Sequence, residues 1–164
     1  MQGTVLQINV SPGGVPKHPV PEARLAAVGV EGDGHARTSI HGGLDKAVLV
    51  ICAEAIEELA AHGYPVFFGA LGENLTVRGL DRRRMRPGQR YRAGGALIEL
   101  TRLRAPCNTI EVYGAGIQGH IFDQAVKAGD PSSPRWGMSG FYAAVVQPGV
   151  VRRNDIITLV DELA

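Results

Sequence analysis

The sequence predicts a mainly β domain that closes into a barrel, with two or three short helices, and three observations predict it. Many short runs of β-forming residues are separated by glycine or proline turns at close spacing; only two stretches carry a convincing helical period; and 164 residues suit one domain with a substantial core. The whole chain, residues 1–164, is therefore read as a single domain. No internal repeat or low-complexity stretch interrupts it.

Taken in order, Gly3 to Val10 is a first strand, supplied by Val5, Leu6, Ile8 and Val10 and stopped by Ser11-Pro12-Gly13-Gly14. The segment up to Pro21 holds three further prolines and reads as a loop or an edge, and Ala23 to Val30 as a second strand. A turn-rich passage follows, Glu31-Gly32-Asp33-Gly34-His35 and then Ser39 to Lys46. Its glycines let backbone approach a ligand closely, and its polar residues are two imidazoles, two aspartates and a lysine. It reads as a site loop or as a surface hairpin whose Asp and His side chains satisfy turn backbone.

Ala47 to Ile51 lacks alternation and reads as a buried strand, while Glu54 to His62 sets Ile56 and Leu59 against Glu54, Glu57 and Glu58 and is the clearest helix, stopped by Gly63 and Pro65. The Gly69 to Val77 stretch is a turn entering a strand, where Glu73 and Asn74 either orient a ligand or close the turn. Pro87-Gly88 and Gly94-Gly95 are turns that lead into a central strand, Leu97 to Leu103. Ile117, Ile121, Phe122, Ala125 and Val126 recur at helical spacing until Gly129-Asp130-Pro131, with His120 beside the stripe as a surface or core histidine. The Pro131 to Gly140 loop carries Arg135, Trp136, Met138 and Ser139; its tryptophan is a binding wall or a buried anchor. Phe141 to Val146, Val150 to Arg152 and Ile156 to Val160 are the closing strands.

The central strand ends at Arg104-Ala105-Pro106-Cys107. Pro106 cannot donate to a ladder and keeps Ala105 extended, so Cys107 is presented by a fixed backbone. Arg102 and Arg104 supply positive potential that favours the thiolate, although a free cysteine is equally often a small buried hydrophobe.

A net charge of +1 makes no case for nucleic acid or a membrane surface as partner. The positive charge is nonetheless uneven, with Arg82, Arg83, Arg84, Arg86, Arg90, Arg92, Arg102 and Arg104 crowding the middle third as a solvated loop or an anion site. Two cysteines without a Cys-x-x-Cys pair make no disulfide framework, and no apolar run is long enough to span a bilayer or act as a signal segment. These features fit a reducing cytoplasm.

Five pieces taken in order, His41-Gly42-Gly43-Leu44-Asp45-Lys46-Ala47-Val48, Gly72-Glu73-Asn74-Leu75, Arg104-Ala105-Pro106-Cys107, Gly140-Phe141-Tyr142-Ala143 and Asn154-Asp155, resemble the landmarks of MOSC domains (molybdenum cofactor sulfurase C-terminal domains). The resemblance covers nearly the whole chain and points to the small stand-alone bacterial members. It departs at Arg153-Asn154-Asp155, where relatives commonly carry Gly-Asp.

The resemblance implies a barrel related to the β-barrel domain of pyruvate kinase and a molybdenum cofactor (molybdopterin). Cys107 falls on the family cysteine and is thereby implied as metal ligand and catalytic residue. Lys46, Asn74 and Arg104, and less directly Arg135 and Ser139, are implied to hold the cofactor, with His41 or Asp45 as proton donor. The implied reaction is the two-electron reduction of a small N-hydroxylated substrate, such as a hydroxylaminopurine, to the amine. No iron–sulfur spacing or nucleotide fingerprint is present, so electrons are expected from a separate reductase. Two alternatives share the same thiol. One is a sulfur carrier taking persulfide sulfur on Cys107 from a cysteine desulfurase that uses pyridoxal phosphate. The other is a non-catalytic module that binds or stores the cofactor.

Overall fold

Residues 1–34 and 43–161 are described by the structure, a computed structural model. Strands β1 (Gln2–Val10), β2 (His18–Val20), β3 (Glu22–Ala26), β4 (Gly29–Val30) and β5 (Val48–Cys52) come first, then helix α1 (Ala53–Ala61). Strands β6 (Leu75–Arg78), β7 (Arg90–Ala93) and β8 (Ala96–Leu103) follow, then helices α2 (Ile117–Ile121) and α3 (Gln124–Lys127). Strands β9 (Phe141–Gln147), β10 (Gly149–Arg152) and β11 (Ile156–Asp161) come last, and short 3-10 helices occupy Leu44–Lys46, Arg82–Arg84 and Asn108–Tyr113.

Seven strands close the expected barrel in the order β11-β7-β8-β9-β5-β6-β1, with β1 pairing back onto β11, and β2 adds to β1 as an edge. Every barrel pair is antiparallel except β5–β6, which α1 connects as a parallel crossover. A small sheet, β10-β3-β4, lies beside it. The single strand expected from Ala23 to Val30 is instead the β3–β4 hairpin: exposed Val28 occupies the turn, and Gly29 leaves it at φ +139°, a conformation that breaks one continuous strand into two.

Two apolar clusters explain the pattern of β5. Val48, Val50 and Cys52 join the interior cluster with Val5, Ile8, Tyr91, Ile98 and Phe141, whereas Leu49 and Ile51 face the outer cluster formed by Ile56 and Leu59 of α1 with Ile110, Ile117, Ile121 and Met138. Burial on both faces removes the alternation that a half-buried strand would show. Cys52 is part of this core; burial pushes its thiol up to about 12, so it is inert as a nucleophile at neutral pH. Trp136 is the buried anchor of its loop, its indole N–H donating to the Met85 carbonyl at 2.9 Å.

The helical stripe from Ile117 to Val126 is two helices rather than one. Phe122 is extended, and Asp123 accepts a hydrogen bond from the Val126 N–H (2.8 Å), capping α3 in competition with helix continuation. The departure at Asn154 also has a backbone cause. Among the described residues it is the single non-glycine with positive φ (+73°), a region that glycine enters freely and asparagine tolerates. No helix among the described residues is long and apolar enough to cross a membrane.

Candidate functional site

The site grows from the end of β8. Pairing with β9 shifts register between Leu100 and Arg102, so Thr101 is an extra residue, and its hydroxyl donates to the carbonyls of Asp45 and Tyr142. Bulges re-aim the side chains that follow them. Here Arg104 turns inward: its backbone N–H donates to the Gly140 carbonyl (2.9 Å) and its side chain is only 4 % exposed. Gly140 has φ +88°, and a Cβ there would run into Ile51 and the Val50 carbonyl, so only glycine allows this approach.

Arg104 Nη2 donates to the Leu71 carbonyl at 2.8 Å, while buried Nη1 has no hydrogen-bond partner. Burial lowers the guanidinium from its ordinary value, opposed by Tyr142, Cys107 and Glu73, and arginine stays charged all the same. Cys107 follows in extended conformation ahead of the Asn108–Tyr113 turn, half-buried, with Sγ 2.8 Å from Thr109 Oγ1. The thiol therefore lies within reach of solvent and within the field of a buried cation.

Tyr142 links these groups. It lies between Leu49 of β5 and Arg102 of β8 in the barrel register, and the Lys46 ammonium sits over its ring at 5.4 Å. Burial raises its phenol, Cys107 adds to that, and Arg104 and Arg102 oppose it. In the sequence Tyr142 stands only within the Gly140-Phe141-Tyr142-Ala143 landmark; its place opposite Arg102 depends on strand register, which no local pattern carries.

The remaining candidates divide. Asp45 is half-exposed and ion-paired with Arg102, so Arg102 spends its charge on Asp45 at the surface. Asn74 is buried with its amide engaged throughout: Oδ1 accepts from the Leu49 N–H (3.0 Å), and Nδ2 donates to the Asn9 carbonyl (3.3 Å) and to Asp33 (2.9 Å). Asp33 in turn holds Lys17 at 2.6 Å in a buried pair. Ser139 is buried with its hydroxyl unpartnered, one residue before the carbonyl that holds Arg104. Arg135 lines a separate cleft between α1 and α2 together with His62 and His120; Cys107, Arg104 and Lys46 are not among that cleft's walls. His35 and His41 lie outside the described residues. Asn74→Ala is expected to cost about 2–3 kcal/mol in urea unfolding, because the buried Leu49 N–H and the Asp33 carboxylate each lose a partner; an unchanged midpoint would return Asn74 to a purely ligand-facing role.

Glu73, which the sequence leaves as orienting a ligand or closing the turn, is wholly buried. Its Oε1 accepts from the Gly69 N–H (2.6 Å) and the Thr76 hydroxyl (3.0 Å), and Oε2 has no partner. Burial raises its carboxyl above the usual carboxylate range, opposed by those hydrogen bonds and by Arg104. A raised folded-state value means that the native state binds the proton more tightly. Its contribution to stability is complete below the ordinary carboxylate value and is lost as pH rises through the folded-state value. Glu73→Gln, which keeps an acceptor at Oε1, should gain on the wild type by up to about 1.4 kcal/mol per pH unit across that window. Parallel pH profiles in chemical denaturation would disprove this.

Among the described residues no group of three or more His, Cys, Asp or Glu could hold a metal ion. A metal at Cys107 would have to arrive with most of its own ligands.

Comparison with known proteins gives a consistent result. The model of the MOSC domain family matches residues 37–158. YflK of Bacillus subtilis (strain 168) is 33% identical over 143 residues, spanning 84% of this chain and 59% of its own length. YiiM of Escherichia coli (strain K12) is 29% identical over 151 residues, spanning 87% of this chain and 61% of its own. The crystal structure of YiiM from Geobacillus stearothermophilus superposes with a TM-score of 0.71 at 26% identity, over 97% of this chain and 75% of that one. The chain thus spans about three fifths of the length of the curated relatives it matches.

Proposed function

The chain belongs to the MOSC domain family, and from that premise we propose that it binds a molybdenum cofactor (molybdopterin) at Cys107 and reduces small N-hydroxylated compounds, hydroxylaminopurines among them, to amines. The observation that carries the reading is the pairing of a half-buried thiol with a buried guanidinium that keeps one nitrogen unpartnered. The donor set fits the group. A lone soft thiolate suits a molybdenum ion whose other ligands are dithiolene sulfurs, and no competing all-protein cage is present among the described residues.

When bound, the cofactor supplies the two-electron redox chemistry. Cys107 is the protein's ligand. Arg104 counters anionic charge from within the fold, where low dielectric strengthens it, and Lys46, steadied over the Tyr142 ring, counters it from the outer side. His41 or Asp45 supplies the proton that leaves with the substrate oxygen; Asp45 would first have to leave its ion pair with Arg102. Electrons come from a separate reductase.

One observation favours a second reading. The Cys107 sulfur is reachable, so it could instead accept persulfide sulfur from a cysteine desulfurase whose own cofactor is pyridoxal phosphate. The experiment is molybdenum analysis, with fluorescence of the oxidised pterin, on protein from a host that makes the cofactor. Near-stoichiometric metal and pterin, followed by turnover of an N-hydroxylated base with a reductase, supports the enzyme. Loading without turnover by any reductant leaves a storage module, and absence of both metal and pterin moves the carrier to the front.

A further inference from the structure

The cleft that Arg135 enters lies between the C-terminal end of α1 and helix α2, has a volume of about 140 Å³, and is walled by Glu58, His62, His120 and Met138 among others. The two imidazoles face each other with ring centres 5.2 Å apart and planes inclined at 47°. Each has its Nδ1 already engaged. His62 Nδ1 is 2.8 Å from the Glu58 carbonyl, and His120 Nδ1 is 2.6 Å from the Tyr64 hydroxyl.

That second set of partners decides what the cleft is suited to hold. A carbonyl only accepts, so His62 Nδ1 carries a hydrogen, and in the neutral ring Nε2 keeps its lone pair. Tyr64 can accept as well as donate, which leaves the same tautomer open to His120. An anion would need a donor where His62 offers a lone pair, whereas a cation needs that lone pair. Imidazoles that bind metals are typically oriented in this way, with the other ring nitrogen hydrogen-bonded to a carbonyl or another protein group. The spacing agrees as well: an ion about 2.0–2.1 Å from two imidazole nitrogens at a tetrahedral angle sets the ring centres about 5 Å apart. Arg135 also lines the cleft with its buried Nε lacking a hydrogen-bond partner; its positive charge lies in the field of the Asp123 carboxylate, while Glu58, on the same wall, is 3.6 Å from Arg82.

We propose that His62 and His120 form a binding site for one divalent transition-metal ion of the copper or zinc type, separate from Cys107, with solvent completing the coordination shell. Two imidazoles select such ions over magnesium or calcium, and copper(II) binds most tightly in the series. The bound ion ties the end of α1 to α2, which follows the Cys107-bearing turn after Gly114-Ala115-Gly116.

The test is copper(II) titration followed by electron paramagnetic resonance, in a Cys107→Ser background so that the reachable thiol takes no part. The expected result is one ion per chain with nitrogen hyperfine structure from two imidazoles. His62→Ala and His120→Ala should each weaken binding at least about tenfold, and Tyr64→Phe, which releases His120, should weaken it measurably. His62 is exposed and His120 half-buried, and circular dichroism would verify that each variant is folded. Absence of stoichiometric binding, or binding that neither histidine substitution changes, overturns the site.

Discussion

Cys107→Ser protein, purified from a cofactor-producing host, should retain at least about tenfold less molybdenum than wild type while its melting temperature moves by no more than about 2 °C. The two halves of that result have different causes. Serine offers no soft sulfur to the metal, so retention fails at the ligand. The thiol is half-buried and contacts Thr109 through a hydroxyl distance that serine also reaches, so the fold loses little; substitutions at such positions cost about 0.5 kcal/mol or less. The reverse pattern, with full metal retention and a marked loss of stability, would make Cys107 a packing residue.

Arg104→Met carries the second large effect, and here stability and binding should fall together. Methionine fills a similar volume but leaves the buried Leu71 carbonyl without its donor and removes a cation whose field reaches Glu73 and Cys107. A cost of about 2 kcal/mol is expected, or a drop of about 4–8 °C in melting temperature, together with loss of molybdenum retention. Arg104→Lys keeps the charge without the planar fork and should recover metal retention more than stability. A methionine variant as stable and as well loaded as wild type would show that the guanidinium is a spectator.

The barrel was legible because its signals are local. Glycine and proline turns bounded most strands, and the unalternating run at Ala47 to Ile51 announced a buried strand, observed as Val48–Cys52 with apolar clusters on both faces. Legibility failed where one side chain or one dihedral angle outweighed periodicity, as with Asp123 capping α3 and Gly29 folding back the β3–β4 hairpin. The site divided in the same manner. Cys107 and Arg104 could be singled out because proline and arginine mark them in the sequence. The meeting of Tyr142 with Lys46 and Arg104 depends on strand register between β5, β8 and β9, which the one-dimensional pattern does not contain. Asn74 and Glu73 were open to two readings, orienting a ligand or closing the turn, because their chemistry is polar; their burial follows from the turn that places them against Leu49, Gly69 and Thr76.

The seam between β1 and β11 bears on how the molecule forms. The first strand of the barrel finishes its pairing only with the last, through Gln2 opposite Thr158 and Thr4 opposite Ile156. Until β11 emerges from a ribosome, β7 and the Gln2 to Thr4 end of β1 each present an unfilled edge, and such edges recruit other chains. Closing a loop of this length is slow compared with hairpin formation, so the ring is sealed late, once β11 has been made. The β7–β8–β9 meander, made of neighbours in sequence or nearly so, can assemble first, with the helix-linked β5–β6 pair joining it through β9.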